Sequence, residues 1–146
     1  MKKEFIPYEQ ALALKELGFD EPCLAVYQNP DFLLIHNLLD SGWDKEEMID
    51  VTNHKYASNG FVTAPLYQQA FRWFREKFRL EEIIQRMPPE VYGKGKGNIK
   101  NYLVYIWAEN LNPRGQGTLH FDTYEEAELE CINKLIEIVK NKKWEY

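Results

Sequence analysis

The sequence predicts an α+β domain of two layers, in which two β-hairpins join in one antiparallel sheet with helices on one face, in the order α-ββ-α-ββ-α. Three observations predict it. Helix-start signals gather three times around a shared phrase, at Tyr8-Glu9-Gln10-Ala11, Tyr67-Gln68-Gln69-Ala70 and Tyr124-Glu125-Glu126-Ala127. Two strand-turn-strand patterns stand between those starts. A chain of 146 residues, 45% apolar and 28% charged, has the length and make-up of a single globular domain, 1–146.

The first helix is expected over 7–17, since Pro7 suits a first turn, where a missing N–H costs nothing, and Gly18 suits the stop. Cys23 to Tyr27 then reads as a strand, Asn29-Pro30-Asp31 as a turn and Phe32 to Ile35 as the returning strand. Segment 37–62 has no clear period and contains Asp40-Ser41-Gly42, Thr52-Asn53-His54 and Ser58-Asn59-Gly60, which reads as a long covering loop. The second helix is expected over 65–78, opened by Pro65, followed by a short helical piece over 80–86 that Pro88-Pro89 ends. Tyr102 to Ala108 is the strongest strand, Asn112-Pro113-Arg114-Gly115 a turn and Thr118 to Phe121 its partner. The closing helix is expected over 124–141, with Thr123 and Glu126 as a capping box and Lys142 and Lys143 at its negative end. Helix and hairpin thus occur twice, over about 5–36 and 64–122, before the closing helix. This is the pattern of a degenerate internal duplication, although good helix starts also converge on such residues.

Aromatic residues make up 14% of the chain. On the second helix Leu66, Tyr67, Ala70, Phe71, Phe74 and Phe78 fall within about 140° and form a core stripe. Trp73 lies at its edge between Gln69 and Lys77, expected partly exposed, with Lys77 placed for a cation–π contact. On the closing helix Ala127, Cys131, Ile132, Leu135, Ile136, Ile138 and Val139 form a wide apolar face. Glu128 projects into the middle of that face, as a candidate buried acid that is hydrogen-bonded near the helix start, paired with a cation, or left with a raised pKa. The strand at 102–108 is apolar on both sides. Burial of its aliphatic side leaves Tyr105 and Trp107 on an open aromatic face, which Tyr27 of the first hairpin would extend. A face of this kind stacks bases, receives a protein partner or closes a homodimer, and its expected fate is cover, under the 37–62 loop or in a dimer, since exposed apolar patches usually end up covered.

Charge is uneven. The chain carries net −5, yet residues 64–100 hold eight Lys/Arg against four Asp/Glu, a basic island whose Arg72, Arg75, Lys94, Lys96 and Lys100 are candidate phosphate contacts. Neutralisation of acidic neighbours is the plainer use of those cations. Gly93-Lys94-Gly95-Lys96-Gly97-Asn98 lacks the Walker spacing and precedes a strand where a phosphate loop would open a helix. Ser41 and Ser58 have no nucleophile-elbow setting, and His36, His54 and His120 have no metal-ligand spacing. No cofactor or metal is expected, and no enzyme is indicated. Cys23 and Cys131 read as buried free thiols. With no signal-peptide core and no run of about 18 apolar residues, a cytoplasmic protein is expected.

The phrases Ala64-Pro-Leu-Tyr-Gln-Gln-Ala-Phe-Arg-Trp-Phe-Arg-Glu-Lys77 and Thr123-Tyr-Glu-Glu-Ala-Glu-Leu-Glu-Cys-Ile-Asn-Lys-Leu-Ile-Glu-Ile-Val-Lys140 resemble a group of small uncharacterised proteins of phages and prophages of Bacteroidetes. The likeness spans roughly the C-terminal two thirds. It implies a phage or prophage origin and an accessory or host-interaction role, and it brings no activity, cofactor or catalytic residue. The leading functional expectation is therefore a non-catalytic module binding a protein partner, or itself, through Tyr105 and Trp107, with Trp73 beside them. Nucleic-acid or nucleotide binding through segment 72–100 is the alternative. A small enzyme using Glu128 or His54 under the 37–62 loop comes third.

Overall fold

The computed structural model describes residues 2–35, 52–53, 60–86, 101–108 and 116–141, the last stretch without the side chains of 116–119. They form an α+β fold in two compact units, Met1–Ala70 and Phe71–Tyr146. Each unit has its own three-stranded antiparallel sheet. The two expected hairpins therefore do not share one sheet. Each takes a third strand from a neighbouring stretch of chain instead.

In the first unit a short 3₁₀ turn over Lys2–Glu4 precedes α1 (Tyr8–Glu16), and the strands are β1 (Ala25–Asn29), β2 (Phe32–Ile35) and β3 (Val62–Ala64), in the order β2-β1-β3. Helix α1 ends as Gly18 predicts. Gly18 takes φ +92°, its N–H reaches the Lys15 carbonyl at 3.0 Å, and the Phe19 N–H reaches the Leu14 carbonyl at 2.9 Å. This is a Schellman cap whose apolar pair, Leu14 and Phe19, is buried. The turn between β1 and β2 is held by the Asn29 side chain, which accepts the Asp31 N–H at 3.0 Å.

Strand β3 was hidden in the sequence at the end of the expected loop. Its alternate residues Val62 and Ala64 pair with Tyr27 and Ala25 and face the α1 side, where Tyr8 meets Tyr27 edge-on at 5.5 Å. The remaining β3 residue is tied down by Asn53, which is 5% exposed. Its Oδ1 accepts the Thr63 N–H at 3.0 Å and its Nδ2 donates to the Phe19 carbonyl at 2.8 Å. Both hydrogen-bonding ends of one buried amide are thereby satisfied.

Helix α2 (Tyr67–Phe78) runs across the division between the units, with Tyr67, Ala70, Phe71, Phe74 and Phe78 buried as the stripe predicts. The second unit continues with β4 (Glu81–Arg86), β5 (Tyr102–Trp107), β6 (Gln116–Phe121) and α3 (Tyr124–Asn141), the strands in the order β4-β5-β6. The 80–86 stretch is a strand, not the expected helical piece. Glu81 to Arg86 pair residue for residue with Trp107 to Tyr102, and this non-local ladder outweighs the helix-forming Glu, Gln and Arg of the segment. Helix α3 opens on the predicted capping box: the Glu126 N–H donates to Thr123 Oγ1 at 3.2 Å and the Thr123 N–H to Glu126 Oε2 at 3.4 Å. Its whole expected apolar face is buried, against β5 with contacts to β4 and β6.

Candidate interaction face

In an antiparallel ladder directly opposed residues point to one side of the sheet, and the side alternates along each strand. The register of β4 and β5 therefore sorts the second unit's sheet into two faces. Glu82, Ile84 and Arg86 share a face with Ile106, Val104 and Tyr102. Val104 and Ile106 are each 2% exposed, and Tyr102 meets Tyr124 of α3 edge-on at 5.8 Å, so this is the face that α3 covers.

The opposite face carries Glu81, Ile83 and Gln85 on β4, against Trp107, Tyr105 and Leu103 on β5, with His120 of β6 opposite Leu103. Ile83 is 46% and Trp107 38% exposed, while Leu103, Tyr105 and His120 are half-buried. The aliphatic side of β5 is buried and the aromatic side open, as its alternation predicts. Ile83 is the member that reading the sequence missed, because a helical 80–86 does not place it beside Tyr105. The available signal was the β-branched pair Ile83-Ile84 in a stretch that can alternate its sides.

The other candidates separate from this face. Trp73 is not partly exposed but 6% exposed, packed edge-on against Phe74 and Phe78 at 5.1 Å each. The helix end curls these rings together, and Lys77 closes over them with Nζ 5.2 Å from the Trp73 ring centroid, as expected. Tyr27 does not extend the open face. It belongs to the other sheet, is 6% exposed, and its hydroxyl donates to the Ile6 carbonyl at 2.9 Å.

Of the basic candidates, Arg72 is exposed on α2, and Arg75 is half-buried and paired with Glu82 Oε1. Neutralisation of an acidic neighbour is thus the use Arg75 has. Lys94, Lys96, Lys100 and His54 lie outside the described residues. Glu128 is half-buried on α3. Its carboxylate and that of Glu82 lie close enough to raise the Tyr124 phenol, after burial as the larger cause. The second oxygen of Glu82 is buried with no hydrogen-bond partner among the described residues.

Cys131 lies on the buried face of the same helix, its thiol pushed up by burial and then by the carboxylates of Glu82, Glu128 and Glu130. Burial likewise pushes the Cys23 thiol up to about 12. Neither is a ready nucleophile. An open hollow of about 370 Å³ lies beside the start of α3, lined by Phe121, Asp122, Glu126, Leu129 and Glu130, and Glu128 is not among its lining residues. No group of three or more metal-ligating side chains forms among the described residues, and no described helix is long and apolar enough to cross a membrane.

Among the described residues, the arrangement that gathers predicted site residues is therefore the open face of β4 and β5, where Tyr105 and Trp107 stand with Ile83 and Leu103. In comparisons with known proteins, the chain matches no family model, no curated protein and no solved structure.

Proposed function

We propose that this chain is a non-catalytic binding module, an accessory protein of phage or prophage origin, that holds a protein partner on the open face of β4 and β5. The observation that carries this reading is the apolar centre Ile83, Tyr105, Leu103 and Trp107 on a sheet whose other side is already covered by α3. A three-stranded face six residues long measures roughly 14 by 20 Å, or about 300 Å². That is well below the ~800 Å² per partner of a stable interface, so the face serves as the centre of a larger contact whose rim is polar. Glu81, Gln85 and His120 supply such a rim on the face itself. The resemblance of segments 64–77 and 123–140 to phage and prophage proteins supports the origin.

The test uses the intact chain and two variants, Ile83→Lys and Trp107→Lys, at sites exposed enough to leave folding unchanged. Affinity capture from host extract should show a partner with the parent chain that both variants lose. Light scattering over a concentration range reads the rival occupant, a second copy. A monomer whose captured proteins are the same with all three chains overturns the proposal.

A further inference from the structure

The first unit exposes an apolar surface of its own. Strand β2 lies at the edge of its sheet: β1 pairs with it on one side, and among the described residues no strand pairs with it on the other. Its four residues, Phe32-Leu33-Leu34-Ile35, include no charge and no proline. Phe32 is 51% and Leu34 37% exposed on one side of the strand, and Leu24, just before β1, is 50% exposed. Edge strands are ordinarily blunted by charge, proline or a bulge, because their outward N–H and C=O groups are a template for another strand. Pro30, Asp31 and the register shift between Tyr27 and Asn29 stand at the start of β2, and no such device stands along Leu33 to Ile35.

We propose that β2 takes up an extended, basic segment of a partner protein as an added strand. Main-chain hydrogen bonds to the β2 edge would hold the segment, and its alternate apolar side chains would lie on Phe32 and Leu34. Charge selects the kind of segment. The described residues of the first unit hold three lysines against six Asp/Glu, net −3, and one of those acids, Asp31, stands exposed directly before the strand. Lysine or arginine flanking the apolar positions complements that charge, and the same charge opposes a second copy of this chain.

The probe is a capped heptapeptide of alternating valine and threonine with a lysine at each end, titrated into the intact 15N-labelled chain. The amide signals of Phe32 to Ile35 should shift saturably. A peptide ending in glutamates should bind about tenfold more weakly or worse at low salt. A lysine peptide N-methylated at alternate residues, with the same side chains but no pairing edge, should not bind, and Phe32→Lys and Leu34→Lys should each abolish the shifts of the parent peptide. No shift at about 1 mM peptide, equal binding of the N-methylated peptide, or β2 shifts that track protein concentration without peptide would each overturn the proposal, the last by making a second copy the occupant.

Discussion

Two residues in the left-handed region show how single positions set the cost of the fold. Gly18 takes φ +92° at the end of α1 with no Cβ to strain, whereas Arg79 takes φ +56° at the end of α2 with one. The Arg79 N–H donates to the Arg75 carbonyl at 3.1 Å, and the chain then drops the fully buried Leu80 into place. Arg79→Gly should therefore raise stability by about 0.5 to 1 kcal/mol, read as a higher urea midpoint with an unchanged slope. The thiols give a second expectation. Cys23, raised by burial from 9.0 to about 12, is protonated in the folded chain over a range where the unfolded chain ionises. Its stabilising share is complete below pH 9 and is lost as pH rises toward 12, so the melting temperature should fall across that window and fall less in Cys23→Ala. In the same state a disulfide reagent should react slowly with both Cys23 and Cys131, and quickly once denaturant exposes them.

Helix ends, where local rules dominate, are the elements most legible in the sequence. The capping box of α3 forms as read, so Thr123→Ala should cost about 1 kcal/mol of thermal or chemical stability. Helix α3 spans Tyr124–Asn141 as expected, and Gly18 closes α1. The strands β3 and β4 were not legible, for a physical reason they share. Val62-Thr63-Ala64 is too short to show a period, and Glu81 to Arg86 consists largely of residues that suit a helix. Each becomes a strand only by pairing with residues far along the chain, Ala25 to Tyr27 for one and Tyr102 to Trp107 for the other. The same non-local pairing decided the candidate site. Tyr105 and Trp107 were visible from the alternation of β5, but Ile83 joins them only through the β4 ladder. Helix periodicity placed Trp73 at the margin of its stripe, whereas Phe74, Phe78 and the Lys77 stem close over the ring.

At the scale of the whole molecule, half of the aromatic residues among the described ones are core. Tyr27, Tyr67, Phe71, Trp73, Phe74 and Phe78 are buried, and Phe32, Trp107 and Tyr124 keep more than a third of their surface. The open rings belong to separate settings: the β2 edge, the β4 and β5 face, and the first turn of α3. The core itself depends at one point on a polar side chain. Asn53→Ala would leave the Thr63 N–H and the Phe19 carbonyl buried and unpaired, which should cost about 2 to 4 kcal/mol and lower the unfolding midpoint accordingly. The bridge also makes Thr63 a clock for the first unit. Its amide proton is locked by a side chain, so its exchange with deuterated solvent counts the moments at which Asn53 lets go, and comparison with the amides of β1 would separate that small opening from unfolding of the sheet.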